Sequence, residues 1–200
     1  NISFNKNKVV DLGNLTSIDN INTGWASSDI DQDFIIKVGE PIGQIYGYQS
    51  AGRYNVSDFD IEASQAKGAW VLKGDVPDAS TTIGTAVRPG SMKIADTNGD
   101  GKITNEDRDI IGDTNPTCTG GFNINGRWKG FDLSANFNFS IGNDIYNANF
   151  IEYTQTGKFR YRNMITEVAE GKRWTNIDAT GALLDWNSAD QLAALNANTT

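Results

Sequence analysis

The chain has 200 residues and a formal charge of −8, with 17 Lys and Arg against 25 Asp and Glu, a balance that excludes nucleic acid as a partner because phosphate contact needs clustered cations. It has no His and a single Cys, Cys118, so Ser-His-Asp, Cys-His and His-ligated zinc chemistry cannot be assembled within it, and neither can an intrachain disulfide. With 21 Gly, 4 Pro and 38% apolar residues, and no run near the roughly 18 apolar residues of a membrane helix, the composition points to a turn-rich all-β protein.

A barrel strand escapes the helix test, because ~9–11 alternating residues suffice to cross a bilayer. In chain order, Ile2 and Phe4 open an alternating stretch that ends at Val9-Val10. Phe34, Ile36 and Val38 make a second stretch, and residues 42–48 a third, with the tight connection Gly39-Glu40-Pro41 between them. Residues 1–48 are therefore expected to be barrel strands with one short periplasmic turn.

Residues 49–119 read as a long extracellular loop, and within it lies the motif that carries chemistry. Residues 96–107 run Asp-Thr-Asn-Gly-Asp-Gly-Lys-Ile-Thr-Asn-Glu-Asp, the pattern of a twelve-residue calcium loop. Asp96, Asn98 and Asp100 stand at positions one, three and five, where alternate side chains converge. Gly101 at six permits the sharp turn, Lys102 at seven offers its carbonyl, and Thr104 at nine works through water. Position twelve is Asp107 in place of the usual Glu, which shortens its reach. Oxygen ligands without Cys or His favour Ca²⁺ over transition metals. Pro89-Gly90 and the strand-like residues 92–94 precede the loop where an EF-hand would carry a helix, so the expected role is structural. An empty Asx-rich turn is the alternative. The carboxylates of Glu106, Asp107 and Asp109 are better explained by ligation and helix-start charge than by a glycosidase pair. No enzymatic site is expected.

Residues 120–145 carry the clearest pattern. Phe122, Ile124, Gly126 and Trp128 alternate with Asn123, Asn125 and Arg127. After Lys129-Gly130 the alternation resumes through Phe131, Leu133, Ala135, Phe137, Phe139 and Ile141. A two-residue turn sets Trp128 against Phe131, Gly126 against Leu133, Ile124 against Ala135 and Phe122 against Phe137, so turn length and apolar pattern agree on one register. One apolar face, one Asn-rich face and aromatics at the turn end fit a transmembrane hairpin. Taken alone, the hairpin fits a soluble sandwich equally well.

Connection lengths separate the two. The expected connections 11–32, 39–41, 49–119, 129–130 and the tail alternate long and short, as the two rims of an outer-membrane barrel do. On that pattern 1–10, 42–48 and 131–145 run outward, and 33–38 and 120–128 inward. Five strands cannot close a barrel whose smallest members have about eight, so further barrel segments, outside this chain, are expected to complete the edges. The lipid bilayer is then a partner. In the extracellular tail, 146–200, Ser188 with Gln191 forms a capping box before Leu192 and Leu195, and Met164, Ile165, Val168 and Ala169 make an apolar helical stripe. The fold class is a fragment of a large antiparallel transmembrane β-barrel with long extracellular loops and a few short loop helices. A soluble, calcium-stabilised β module of carbohydrate-binding or adhesin type is the alternative.

A set of ordered blocks adds to this. Residues 38–43 (Val-Gly-Glu-Pro-Ile-Gly), Ile45-Tyr46-Gly47-Tyr48, Pro89-Gly90, Asp96 through Arg108, Ile111-Gly112, Gly120 to Phe139 and Gly142-Asn143-Asp144-Ile145-Tyr146-Asn147 together resemble the SusC/RagA-type TonB-linked outer-membrane proteins, and Arg173-Trp174-Thr175 resembles a late extracellular loop of that family. The resemblance implies a 22-stranded barrel with an internal plug, energised by TonB through parts outside this chain. It also implies a SusD-like surface lipoprotein as partner, import of glycans or peptides, and location in the outer membrane.

Overall fold

The computed structural model describes residues 1–25, 32–155, 161, 163–168, 174–178, 180–184 and 188–197. It divides into two compact units, residues 1–47 with 110–149, and residues 48–109 with 150–200. The first unit is dominated by two long strands, β8 (Cys118–Trp128) and β9 (Phe131–Ile141). They pair antiparallel without interruption, Phe122 facing Phe137, Ile124 facing Ala135, Gly126 facing Leu133 and Trp128 facing Phe131. Lys129 and Gly130 both take positive φ, +46° and +87°, the primed turn whose twist matches that of the flanking strands. The rings of Phe122 and Phe137 stack with centroids 4.7 Å apart.

A third strand, β1 (Ile2–Ser3), joins the free edge of β8, with Ile2 opposite Gly120 and Ser3 opposite Thr119. Gly120 is required at this seam. A Cβ there would lie 2.6 Å from the Phe139 ring and 2.7 Å from the carbonyl oxygen of Asn1.

A separate four-stranded sheet has the order β2 (Ser17–Ile21), β3 (Phe34–Lys37), β4 (Gln44–Tyr48), β7 (Arg108–Asp113). This corrects the expected grouping in three respects. Residues 34–37 and 44–48 do not continue the hairpin's sheet, and at four and five residues they fall short of the ~9–11 that a bilayer demands. Residues 11–32 and 49–119, expected as loops, contribute β2 and β7 to this sheet. In the 1–10 stretch only Ile2 and Ser3 are paired in a sheet, and their partner is β8.

Residues 113–117 and 142–144 sit at the open end of the hairpin. There the Thr117 amide donates to the Ile141 carbonyl at 2.9 Å and the Asp113 amide to the Asp144 carboxylate at 2.8 Å. The 39–43 turn is tied to the same place, since the Thr114 amide and hydroxyl both donate to the Gly43 carbonyl. The 39–41 and 129–130 turns therefore lie at opposite ends of β8, not on one rim as the alternation of connection lengths implied.

The second unit has its own core. Tyr54, Phe59, Ala79, Val87, Ile94 and Ile103 are buried together, with Tyr48, Ile61, Trp70, Leu72, Val76 and Ile83 packed around them. The segment expected to be a long loop thus folds around a core. Helix α1 (Ile61–Lys67) is capped by the Asp60 carboxylate, which accepts from the Ala63 amide, and ends at Gly68 with φ +67°. A short helix α2 (Ser80–Ile83) follows, and β5 (Ser50–Arg53) pairs with β6 (Met92–Ile94). The buried Tyr54 hydroxyl donates to the Pro77 carbonyl at 2.6 Å and accepts from the Ala79 amide at 3.1 Å, so its burial leaves no polar atom unmet.

After the seven-residue helix α3 (Ala148–Thr154), the final helix α4 (Ala189–Ala197) is capped by Ser188, whose hydroxyl accepts from the Gln191 amide at 3.2 Å. The reciprocal half of the capping box is not made. Gln191 Oε1 is buried without a partner. Leu195 is buried, and the Asn196 carbonyl accepts from the Arg53 guanidinium at 3.0 Å. The stripe expected at 164–169 reduces to a 3₁₀ turn at Thr166–Val168, with Ala169 outside the described residues.

Candidate functional site

Two features of the chain are equipped to act on something other than the chain. The first is the β1-β8-β9 sheet. Its apolar face carries Ile2 on β1, Phe122, Ile124 and Trp128 on β8, and Phe131, Leu133, Phe137 and Ile141 on β9, all exposed, with Leu133 at 65%, Trp128 at 68% and Phe131 at 76%. Among the described residues, none covers them. A soluble sandwich would place this face in a core, whereas the buried residues here, Cys118 at the start of β8 apart, belong to other elements.

The opposite face is polar throughout. Asn123 donates to Asn136, Asn125 donates to Asn123, and Arg127 pairs with Asp132 at 3.0 Å. The ion pair is fully hydrated and contributes little. From Cys118 to Trp128 the strand extends about 33 Å at ~3.3 Å per residue, or about 25 Å of vertical height at a ~40° tilt. That matches the apolar band of an outer-membrane barrel.

The second feature is the 96–107 loop. The Asp96 carboxylate accepts from the amides of Gly99 and Gly101, each at 2.7 Å; Asn98 accepts from the Asp100 amide at 2.9 Å, and Asp100 from the Lys102 amide at 2.8 Å. Successive Asx turns thus wind the segment into a tight loop, with Gly101 at φ +80° as the sequence requires. Ile103 is buried in the core of its unit, and this fixes the loop on that core.

Asp107 stands apart from the other expected ligands. It is fully buried, and its two carboxylate oxygens accept from the Thr97 amide at 3.0 Å and the Thr104 amide at 2.7 Å. Those donors, Thr104 first, outweigh the opposing effect of burial and hold its carboxyl below the usual carboxylate range. The loop therefore brings Asp96, Asn98, Asp100 and Lys102 together on its exposed side, while Asp107 braces its base. Among the described residues, no group of three or more His, Cys, Asp and Glu is positioned to hold a metal. The oxygen-only donor set on the exposed side suits a hard cation. The Asp107 carboxylate is fully buried and lies apart from that exposed set. Its bracing role was absent from the twelve-position pattern, although the Thr at 97 and 104 that face it are visible in the sequence.

Among the aromatic residues of the second unit, Tyr54 is buried, and Tyr48 and Trp70 pack on the same core, Trp70 edge-on to Phe59 at 5.2 Å. Trp174 lies so close to Gly90 that a Cβ there would overlap its ring, and the Arg53 guanidinium sits 5.9 Å from the ring centroid. Arg173 lies outside the described residues.

An all-β chain whose longest sheet has an open apolar face of bilayer height and a polar reverse is a segment of a membrane-type β-barrel wall. No family model matches the chain. It is 34% identical over 154 residues to TonB-dependent receptor P3 of Formosa agariphila, an alignment covering 76% of this chain and 13% of that protein. Two further receptors of the same organism, P39 and P26, are 28% and 29% identical, over 73% and 87% of this chain and 15% of each relative. The chain thus spans between 13% and 15% of the length of these curated relatives. Sequence similarity and β architecture together support a segment of a TonB-dependent receptor.

Proposed function

We propose that this chain is part of the barrel wall and extracellular surface of a SusC/RagA-type TonB-dependent transporter in the outer membrane. In that setting a SusD-like lipoprotein covers the barrel, glycans or peptides are imported with energy supplied through TonB, and the chain performs no catalysis. The observation that carries the proposal is the open apolar face of β1, β8 and β9 backed by a polar face. Apolar side chains toward lipid and Asn, Ser and Asp toward an aqueous lumen account for both surfaces at once. The short 129–130 turn then marks the periplasmic rim. Residues 4–117, inserted between the adjacent strands β1 and β8, and the segment after β9 both leave from the other end, which becomes the extracellular rim. The soluble-module alternative loses support because it would leave this face open to water.

The 96–107 loop is proposed to bind calcium through Asp96, Asn98, Asp100 and the Lys102 carbonyl. Asp107 would join them only by leaving its buried position. The ion's role is architectural, as a neutraliser of clustered carboxylates at the surface of the second unit.

The test of the barrel reading is residue-by-residue labelling of the whole protein in vesicles, with Cys118 replaced by Ser and single cysteines placed at 122, 133, 123 and 136. Spin labels at 122 and 133 should report lipid, and those at 123 and 136 water. Water at all four positions would refute the proposal.

A further inference from the structure

We propose that Lys6 and Lys8 form a binding site for the phosphate of a membrane lipid headgroup, at the end of the apolar sheet opposite the 129–130 turn. The inference rests on the barrel reading above. It begins from the course of the chain after β1. Ile2 lies opposite Gly120, which faces Phe139 across β8 and β9, so Ile2 belongs to the apolar face. From Phe4 to Leu12 the chain forms no helix, strand or turn. From Lys6 onward exposure alternates residue by residue, with Lys6, Lys8 and Val10 exposed and Asn7 and Val9 partly buried.

The inward-turned residues are tied down. The Asn7 amide group donates to Asn115 at 3.1 Å, and its oxygen accepts from the Ile42 amide at 2.9 Å; the Val9 amide donates to the Glu40 carbonyl and the Gly39 amide to the Val9 carbonyl, each at 2.9 Å. Lys6, Lys8 and Val10 (83% exposed) therefore form one outward stripe, and Ile2 and Phe4 (71% exposed) before them are exposed as well. Two apolar residues thus precede the lysines, which lie within about 7 and 13 Å of Phe4 along the chain. That order, apolar band and then paired cations, follows the order of acyl chains and phosphates across a lipid interface.

The lysines also line a cavity of about 620 Å³ with Phe4, Pro41 and Pro116, which is ample for a headgroup. Among the described residues neither lysine is ion-paired. Two carboxylates share the lining. Asp113 already accepts from the amide and side chain of Asn115 at 2.9 and 2.6 Å. Glu40 is the remaining negative charge, and it opposes a phosphate. With a chain charge of −8, diffuse attraction to an anionic surface is absent, so any preference for phosphate must come from this pair.

The experiment uses the whole protein reconstituted into phosphatidylcholine vesicles with and without phosphatidic acid, with native mass spectrometry of retained lipid as readout. Phosphatidic acid should be retained over phosphatidylcholine. The Lys6→Gln/Lys8→Gln variant should lose about thirtyfold in that retention, from roughly fivefold per basic residue at an anionic lipid surface, and Glu40→Gln should increase it. Inorganic phosphate at millimolar concentration should not displace the lipid. Equal retention by the double variant, or displacement by free phosphate, overturns the lipid site. Labels at 122 and 133 in the same vesicles distinguish the two failures. If they report lipid while the lysines make no difference, only the headgroup site falls; if they report water, the barrel reading falls with it.

Discussion

Asp107 illustrates how one side chain serves as scaffold at a position expected to be a ligand. Its carboxyl is held below the usual range by the amides of Thr104 and Thr97, so in the folded state it binds its proton less readily than in the unfolded chain, where its pKa is about 3.9. The stability it contributes is therefore complete above that value and is lost as pH falls through the lower, folded value. Acid unfolding of the second unit, followed by near-ultraviolet circular dichroism, should shift to higher stability in acid relative to neutral pH when Asp107 is replaced by Asn, and the variant should be less stable than the parent at pH 7. At the exposed side of the same loop, replacing Asp96 and Asp100 by Ala should abolish calcium-dependent protection of residues 85–115 from proteolysis. Protection that is the same with and without calcium in the parent protein would remove the metal from the account.

Lys129 sets a second residue-scale expectation. It is the non-glycine residue with positive φ among those described, a conformation that costs about 1 kcal/mol for most side chains and little for Asn or Gly. Lys129→Asn should stabilise the hairpin turn by a few tenths to 1 kcal/mol, and Lys129→Val should destabilise it by more, as measured by thermal unfolding in detergent. The cation–aromatic contact of Lys129 with Trp128, at 4.8 Å, offsets part of the first gain.

At the scale of elements, the hairpin was legible because two independent constraints coincide: strict period two on both sides and a turn that admits one register. The β2 strand was not, because its pairing shifts between Ile18 and Ile21, and a bulge erases the alternation that identifies a strand. The β7 strand was hidden for a related reason. Its apolar residues, Ile110 and Ile111, are adjacent, and the acidic motif just before it drew the segment toward a loop assignment. That β1 pairs with β8 and not with β3 is a choice between distant partners, which local pattern does not encode. In the candidate site, the spacing of 96, 98, 100 and 102 marks a turn-rich loop, whereas the inward turn of Asp107 depended on amides whose location only the folded loop fixes. Helix α4 offers a direct check on the cap that was legible. Ser188→Ala should cost about 1 kcal/mol, visible as faster hydrogen exchange at 190–197.

At the scale of the molecule, an exposed sheet face and a separate unit with its own core divide the work of the chain. The face is suited to lipid. The second unit needs no bilayer to bury its apolar residues, because it has a core of its own. Displacing Trp174 from Gly90 by Gly90→Ala, which places a methyl group in the Trp174 ring, should loosen residues 174–178 without altering label environments on the hairpin.

The pairing of Ile2 with Gly120 also sets an order of assembly. Two strands that are neighbours in space are separated by the whole of residues 4–117, and closing so long a gap in an unfolded chain costs about 4 kcal/mol in lost freedom, against very little for a two-residue hairpin. The β8 and β9 strands can zip together as soon as they are made. The β1 strand can join them cheaply only after the intervening polypeptide has collapsed on its own core and drawn its ends toward each other. Folding of residues 48–109 about their own core shortens that gap, so mutations that weaken this interior should slow closure of the sheet far from where they lie.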